Sequence, residues 1–176
     1  MLKASEELIE FMLKPNKNAD TGSPHPPLTG GDREDHLERK NKLKAWIDSP
    51  SRGKDGFTAL HFASFHGNIN MIRLLVKHGA DVNVVNKQGI NMLHVAAQGD
   101  QPVAIAYFLE KGMKINSVDK CLSTPLHWAG FSGADLTLNY ILAWGGDTEL
   151  RDSKGLTPLH LSVKSARENR SSKGIK

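Results

Sequence analysis

Cysteine is nearly missing from this chain of 176 residues, where Cys121 is the one copy. A single cysteine excludes internal disulfides and thiolate zinc sites, and it is typical of proteins in a reducing compartment. Long hydrophobic runs are missing as well: the longest, Val103 to Leu109, has seven residues, whereas a bilayer-spanning helix needs about 20. Three glutamates interrupt the apolar pattern of residues 1–14, which excludes a secretory signal. We therefore expect a soluble, cytoplasmic protein without direct membrane insertion.

The chain also lacks a surplus of one charge sign outside its last residues. Residues 1–163 carry equal numbers of basic and acidic side chains, so the net charge of +4 lies entirely in residues 164–176. Nucleic-acid-binding domains usually carry a basic stripe on the domain itself, and we expect no nucleic-acid partner. The P-loop spacing of glycines and the G-x-S-x-G elbow are absent too. The sequence therefore predicts a protein that is not an enzyme and holds no cofactor.

A repeat of 33 residues dominates the second half of the chain. Four histidines recur at this spacing, each preceded by a leucine and followed two positions later by a small residue. They are His61, His94, His127 and His160, with Leu60, Leu93, Leu126 and Leu159 before them and Ala63, Ala96, Ala129 and Ser162 after them. A glycine register of the same period comprises Gly56, Gly89 and Gly155, with Leu122 as its exception. The sequence therefore predicts a stack of similar units.

Each unit is expected to contain two short helices. Thr124 can cap a following helix, Pro125 fits its first turn, and the leucine and the small residue, three positions apart, share one buried face. A second helix follows, for example Ile69 to Lys77, and a glycine ends it. The polar stretch from Ala80 to Gly89 predicts a hairpin. The expected fold is an all-α repeat solenoid of helix–turn–helix units joined by β-hairpin loops.

The units resemble those of the ankyrin family, whose 33-residue repeat carries the T-P-L-H-x-A signature. The matching stretches are TALHFA at 58–63, NMLHVA at 91–96, TPLHWA at 124–129 and TPLHLS at 157–162. The resemblance implies three full repeats and the first half of a fourth within residues 53–165. It also implies a monomeric protein-protein interaction module, or scaffold, that binds a partner protein through its groove and hairpin tips.

The flanks differ from the repeats in composition. Residues 1–31 combine an amphipathic segment with a flexible linker, residues 32–52 are expected to form a capping helix or a degenerate repeat, and residues 166–176 are a basic polar tail. The apolar edge of the capping helix is expected from Leu37, Leu43, Trp46 and Ile47. Because no second helix is expected after the fourth histidine, we interpret the chain as a fragment, an early-terminated product or a protein capped by a partner.

The four histidines do not predict a metal site. Helices of successive units pack about 8–10 Å apart, whereas zinc needs ligands about 2 Å from one ion. We expect each histidine to bridge polar groups of its own turn and the next, a structural role that the ankyrin resemblance also implies. The position after the histidine is expected in the core; it holds Phe62, Val95, Trp128 and Leu161. Trp144 precedes a glycine turn and is either an exposed interface residue or packed in its loop.

A binding surface is expected along the hairpin tips and the concave face of the first helices, as the resemblance implies. By register, its residues are Lys54, Asp55, Phe57, Phe65, His66, Lys87, Gln88, Ile90, Gln98, Lys120, Ser123, Phe131 and Ser132. The four apolar members could form one strip within a rim of lysines and His66. Alternatively, Phe57 and Ile90 fold back onto the adjacent hairpin. The expected ligand is an extended or helical protein segment.

A narrower resemblance gives a second function. The runs at 91–116, 124–133 and 140–147 are similar to the cytosolic ankyrin region of protein S-palmitoyltransferases. This implies a substrate-recruiting module, at the cytosolic face of an internal membrane, whose catalytic domain is absent from this chain. No catalytic residue carries over, because the Asp-His-His-Cys motif is missing.

Asn83 is a candidate for modification. It resembles the hairpin asparagine that asparaginyl hydroxylases modify in ankyrin repeats. The alternative is a structural role, in which the side chain holds the turn by hydrogen bonds. The sequence leaves both open.

Overall fold

The computed structural model describes residues 30–51 and 53–172, so residues 1–29 of the expected amphipathic segment and linker lie outside the described residues. Within these ranges the chain forms eight α-helices and no strand. The helices are α1 (Gly30–Ile47), α2 (Ala59–Phe65), α3 (Ile69–Lys77), α4 (Met92–Gln98), α5 (Pro102–Glu110), α6 (Pro125–Ser132), α7 (Asp135–Ala143) and α8 (Pro158–Ser172). None of these described helices is long and apolar enough to cross a bilayer. The predicted all-α repeat architecture is confirmed.

The repeat helices form two rows with the core between them. Helices α2, α4, α6 and α8 contact one another in sequence as an inner row, while α3, α5 and α7 each pack on the preceding inner helix. The repeat leucines Leu60, Leu93 and Leu126 are buried. The outer row contributes the buried side chains of Ile72, Ile105, Phe108 and Ile141. The apolar positions that recur at helical spacing therefore face the other row, as the pattern predicts.

Each inner histidine ties its own helix to the next unit. In the first unit, Nδ1 of His61 accepts the backbone N–H of Thr58 at 3.1 Å, and Nε2 donates to the carbonyl oxygen of Ile90 at 3.1 Å. The Nε2 bond recurs from His94 to Ser123 at 3.0 Å and from His127 to Leu156 at 3.1 Å. Because a carbonyl oxygen only accepts, the ring proton lies on Nε2. The histidine ladder is structural, and the described residues contain no cluster of side chains able to hold a metal ion.

The loop that precedes each inner helix, called a finger here, is a tight turn rather than a stranded hairpin. The fingers comprise residues 53–57, 80–90, 113–123 and 146–156. In the second finger, the side-chain oxygen of Asn86 accepts the N–H groups of Gln88 and Ile90 at 3.0 and 2.9 Å. Successive fingers are joined by one backbone bond each: Lys87 to Asp55 at 3.0 Å, Lys120 to Gln88 at 2.8 Å and Ser153 to Cys121 at 2.8 Å. These bonds hold the finger tips in a row.

Helix α1 packs against the first unit with a narrower apolar face than the sequence predicts. Leu43 and Ile47, one turn apart, are buried in the core. Leu37 and Trp46 are exposed, so their assignment to the packed edge is wrong. Among the α1 side chains that the structure describes, residues 37–47, the i, i+4 pair Leu43 and Ile47 is buried, because the helix contacts the stack on one side.

Helix α8 is longer than expected and only partly covered. It continues to Ser172, well past Ala166, where we expected a polar tail to begin. Leu159 is 71% exposed, whereas its equivalent Leu93 is fully buried. Within the described chain no further inner helix covers this face of α8.

Candidate functional site

The inner helices present two side chains each on the face that adjoins the fingers. These are the residue after the repeat histidine and the residue three positions later, which share one helix face. They are Phe62 and Phe65 on α2, Val95 and Gln98 on α4, Trp128 and Phe131 on α6, and Leu161 and Lys164 on α8. Together with the fingers they line two depressions, which we call the groove.

The first depression lies between α2 and α4 and encloses about 260 Å³. It is lined by Phe57, His61, Phe62, Phe65, His66, Val95 and Gln98. The ring of Phe57 meets the rings of His61 and Phe62 edge-on, at centroid distances of 5.4 and 6.1 Å. Burial lowers the pKa of His61, because the imidazolium would lose its hydration. The first depression is therefore apolar, and it has no carboxylate, lysine or arginine in its wall.

The second depression lies between α6 and α8 and encloses about 410 Å³. Trp128, Phe131 and Leu161 form its apolar wall, and Lys154 and Lys164 stand at its edge. This depression differs from the first because it combines apolar surface with positive charge.

Two carboxylates also line the second depression, but both already hold donors. Asp119 accepts the N–H groups of Cys121 and Ser123 at 2.8 and 2.9 Å, and the indole N–H of Trp128 at 3.1 Å. Asp152 accepts two backbone N–H groups of its own finger, at 2.9 and 2.8 Å. These two carboxylates stabilise their fingers, and Asp119 orients Trp128. Their oxygens have fewer free acceptor positions for an external ligand.

A glycine sets the close approach of helices at the centre of the groove. A Cβ at Gly99 would overlap the carbonyl oxygen of Phe65, so a side chain there would push α2 and α4 apart. The neighbouring Gln98 lines both depressions. The two depressions therefore adjoin at Gln98.

The structure places six of the thirteen predicted surface residues in the two depressions. Phe57, Phe65, His66 and Gln98 share the first depression, and Gln98, Ser123 and Phe131 share the second. The predicted finger-tip residues Lys54, Asp55, Lys87, Gln88 and Lys120 are exposed. Gln88 Nε2 donates to Asp55 Oδ1 at 2.9 Å across two fingers. Ser132 lies beyond the depressions, and its hydroxyl donates to the carbonyl oxygen of Trp128 at 2.9 Å.

Ile90 is not part of an exposed strip, which corrects the prediction. It is 6% exposed, and its carbonyl oxygen accepts from His61. Its N–H donates to Asn86 Oδ1. Of the two alternatives for this residue, folding back is the one observed: its carbonyl oxygen joins the second finger to His61 on α2, and its N–H closes the finger on Asn86.

Sequence reasoning placed the position after the histidine in the core, and this is wrong for Phe62, whereas Trp128 packs against the core with part of its side chain exposed. Phe62 is 51% exposed, and Trp128 is half-buried in the wall of the second depression. Val95, between them in register, is buried. The sequence did contain a signal. Phe62 lies three residues before Phe65, and Trp128 lies three residues before Phe131, so each pair shares one helix face.

Trp144 lies away from the groove, at the end of the outer helix α7. Its ring stacks on Tyr140 with a centroid distance of 6.0 Å and an interplanar angle of 29°, and it remains exposed. Trp144 is therefore exposed, as the first sequence-based alternative predicts, and it also packs on a neighbouring side chain. Asn83 lies in the second finger, exposed, and its N–H donates to Asp81 Oδ1 at 2.9 Å; its modification stays a prediction.

Comparison with known families identifies the repeat. A family profile described as ankyrin repeats in three copies matches residues 35–119 and, in an overlapping placement, residues 79–152. Together these placements cover more than half of the chain and include most of α1.

Curated relatives share the repeat region. The zebrafish (Danio rerio) Notch-regulated ankyrin repeat-containing protein A is 36% identical over 59 residues, which are 34% of this chain and 53% of that protein. Its human (Homo sapiens) counterpart is 41% identical over 48 residues, 27% of this chain and 42% of that protein. The mouse (Mus musculus) serine/threonine-protein kinase TNNI3K is 50% identical over 34 residues, 19% of this chain and 4% of the kinase. The chain thus spans about half the length of the first two relatives and a small part of the kinase.

Proposed function

Because the chain belongs to the ankyrin repeat family, we propose that it is a protein-protein interaction module that binds a segment of a partner protein along the groove. The single observation that supports this most is the exposure of aromatic side chains in the groove. Phe62 and Phe131 are 51% and 50% exposed on helices whose other faces fill the core. Apolar side chains grouped in a depression and exposed to water are typical of binding surfaces.

The shape of the groove supports an elongated ligand rather than a small molecule. Its two depressions are lined by residues of all four inner helices, so the apolar surface extends across several repeats. Lys54, Lys87 and Lys120 flank it and can form a polar rim around apolar anchors. Our proposal includes no catalytic step and places the module in the cytoplasm as a monomer, where Cys121 would stay a free thiol.

Quantitative capture of partners from a cell extract tests this proposal. The wild-type chain is compared with a double variant, Phe62→Ser with Phe131→Ser, in which both depressions lose an aromatic wall. The matched control is Val103→Ser with Leu136→Ser, which removes apolar side chains 62% and 66% exposed on the outer helices. We expect the groove variant to lose the proteins that the wild type and the control retain, with similar melting temperatures for all three. Loss in the control and retention in the groove variant would place the interaction on the outer row and refute the proposal.

The second function, substrate recruitment for a membrane-bound S-palmitoyltransferase, rests on the sequence resemblance alone. The relatives named above carry other descriptions, and no described residue favours an acyltransferase over another partner. We keep it as a prediction and base no experiment on it.

A further inference from the structure

The finger tips carry a row of lysines beside the groove. Lys54, Lys87 and Lys120 occupy the same register in three consecutive fingers, and Lys154 lies in the fourth. All four are exposed, as is Lys164 on α8. In the part of the chain that the structure describes, the one ion pair joins Lys42 to Glu38 on α1 at 2.8 Å. These five lysines, of which Lys154 and Lys164 line the second depression, are therefore not neutralised by ion pairs within the described residues.

The acidic groups near this row are already engaged. Asp55 accepts from Gln88 Nε2, and Asp119 accepts three N–H groups. Asp152 accepts two. A carboxylate stabilised by internal donors orders the fingers, while the ammonium groups stay available to a ligand. The three aspartates keep their negative charge, but five lysines against these three carboxylates leave a net charge of +2.

Charge and apolar surface are distributed unequally along the groove. The first depression is lined mainly by aromatic side chains, with two histidines and Gln98 as its polar members and no lysine, arginine or carboxylate. The second is lined by Lys154 and Lys164, together with the hydrogen-bonded carboxylates of Asp119 and Asp152. The centres of the two depressions lie two helix spacings apart. At about 8–10 Å per spacing, this distance reaches about 20 Å. An extended chain covers that distance in about six residues and a helix in about thirteen.

From this distribution, and resting on the proposed function, we propose that the partner is an acidic protein segment in a defined order. A bulky apolar side chain enters the first depression between α2 and α4. A group of aspartates or glutamates lies about 20 Å away, beside Lys154 and Lys164, with Lys120 next to it on the third finger tip. The lysine row steers this segment into the groove, and the apolar side chain holds it there.

A random 16-residue peptide library displayed on phage, panned against the full chain, tests this partner class. We expect the selected peptides to carry clustered acidic residues and one large apolar residue, about six positions apart if extended or about thirteen if helical. The groove charge variant is Lys120→Glu with Lys154→Glu and Lys164→Glu. The matched control is Lys40→Glu with Lys77→Glu and Lys114→Glu, at exposed positions outside the groove lining.

Fluorescence anisotropy of the best peptide measures the effect. We expect at least a tenfold loss of affinity for the groove charge variant and little change for the control. When the library is panned against the groove charge variant, we expect the selected peptides to be basic. Selection of basic or uncharged peptides by the wild type overturns the acidic class. If those peptides lose binding in Phe62→Ser with Phe131→Ser, the proposed function still stands.

Two further outcomes also decide against the inference. If the groove charge variant and the aromatic variant both leave peptide binding unchanged, the inference and the proposed function fail together. If a labelled 16-nucleotide single strand binds more tightly than the best peptide and loses binding in the groove charge variant, the lysine row serves a nucleic acid instead.

Discussion

At the residue scale, the contact between His94 and Asn91 departs from the other units. Nδ1 of His94 accepts the Asn91 N–H at 3.3 Å, but it also lies 2.7 Å from Asn91 Oδ1. Since the ring proton lies on Nε2, two acceptors face each other at contact distance. In the next unit, Thr124 Oγ1 lies 2.9 Å from Nδ1 of His127. A hydroxyl can donate to the ring and still accept from the helix, which an amide oxygen cannot do.

Exchanging these two caps should shift stability in opposite directions. We expect Asn91→Thr to raise the free energy of unfolding by about 1 kcal/mol, because it relieves the acceptor pair. Loss of the bond from Asn91 Nδ2 to Ser117 Oγ, 2.9 Å long, offsets part of this gain. Thr124→Asn should lower the free energy by a similar amount. Urea unfolding measures both, and a stable Thr124→Asn variant would show that the hydroxyl is not needed.

Buried histidines make the fold sensitive to acid. Burial lowers the pKa of His61 and of His94 below the usual value, because each imidazolium would lose hydration. In the unfolded chain both bind a proton near pH 6.5, while the folded chain binds it only at lower pH. Below about pH 6.5 the unfolded state therefore holds more protons than the folded state. The free energy of unfolding decreases as the pH is lowered through that window.

We expect the free energy of unfolding to be smaller at pH 5.5 than at pH 7.5, by an amount that shrinks in His94→Gln. This substitution removes one of the two groups that the unfolded state protonates. The matched control, His66→Gln, alters an exposed histidine. Urea titrations at the two pH values give the comparison. An unchanged pH dependence in His94→Gln would mean that His94 does not contribute.

At the element scale, the fingers share one backbone design with one irregular member. The last residue of each turn adopts positive φ, which is 77° at Gly89, 76° at Gly155 and 58° at Leu122. A residue with a Cβ pays about 1–2 kcal/mol for this conformation. The turn persists at Leu122 because Asp119 accepts both neighbouring N–H groups of that finger, as Asp152 does in the next.

Leu122→Gly should stabilise the third finger. We expect the free energy of unfolding to rise by about 1 kcal/mol, because the Leu122 side chain is exposed and its removal costs little packing. Gly155→Leu is the converse substitution. A Cβ there meets nothing within 4 Å, so its cost reports backbone conformation alone. Thermal or urea unfolding of both variants checks the pair; destabilisation by Leu122→Gly would contradict the argument.

At the scale of the whole molecule, burial is greatest in the middle of the stack and falls toward α8. Every equivalent leucine of the inner row is buried except Leu159. Repeat arrays are held by contacts between neighbours, so an inner helix with a neighbour on one side has half of this stabilisation. The unequal burial of equivalent leucines therefore follows from the position of each unit in the array rather than from the sequence of the unit.

The same substitution should therefore have unequal effects along the array. Leu93→Ala is expected to lower the free energy of unfolding by about 2–5 kcal/mol, since it leaves a cavity in the core. Leu159→Ala is expected to change it by less than about 0.5 kcal/mol, because that side chain is mostly in water. Equilibrium unfolding gives both values, and equal losses would imply that α8 is covered in solution.

Hydrogen exchange should show the gradient directly. We expect the amides of residues 158–166 to exchange faster than those of residues 92–110, because none of the described helices packs on one side of α8. Mass spectrometry of the full chain resolves these segments. Slower exchange at α8 than in the central unit would contradict the picture, and protection of α8 that increases with protein concentration would point to association through this face.

The sequence by itself determined the repeat and therefore the fold class. A period of 33 residues places leucine, histidine and a small residue at the same points of every unit, and only helix pairs stacked side by side bury all of these positions at once. The helix boundaries of α3, the caps at threonine and the structural role of the histidines follow from local rules. These predictions succeed because each depends on residues close together in the chain or at one fixed spacing.

Only the tertiary structure decided which side chains line the groove. Phe62, Val95 and Trp128 share one register position, yet Val95 is buried and Phe62 is exposed, because neighbouring helices and fingers cover that position to different degrees. Ile90 looked available in the sequence but is buried, and its carbonyl oxygen bonds His61, 29 residues away in the chain. Register fixes the direction of a side chain, but exposure depends on how closely the next unit approaches. At Gly99 that approach is set by the Phe65 carbonyl of another helix.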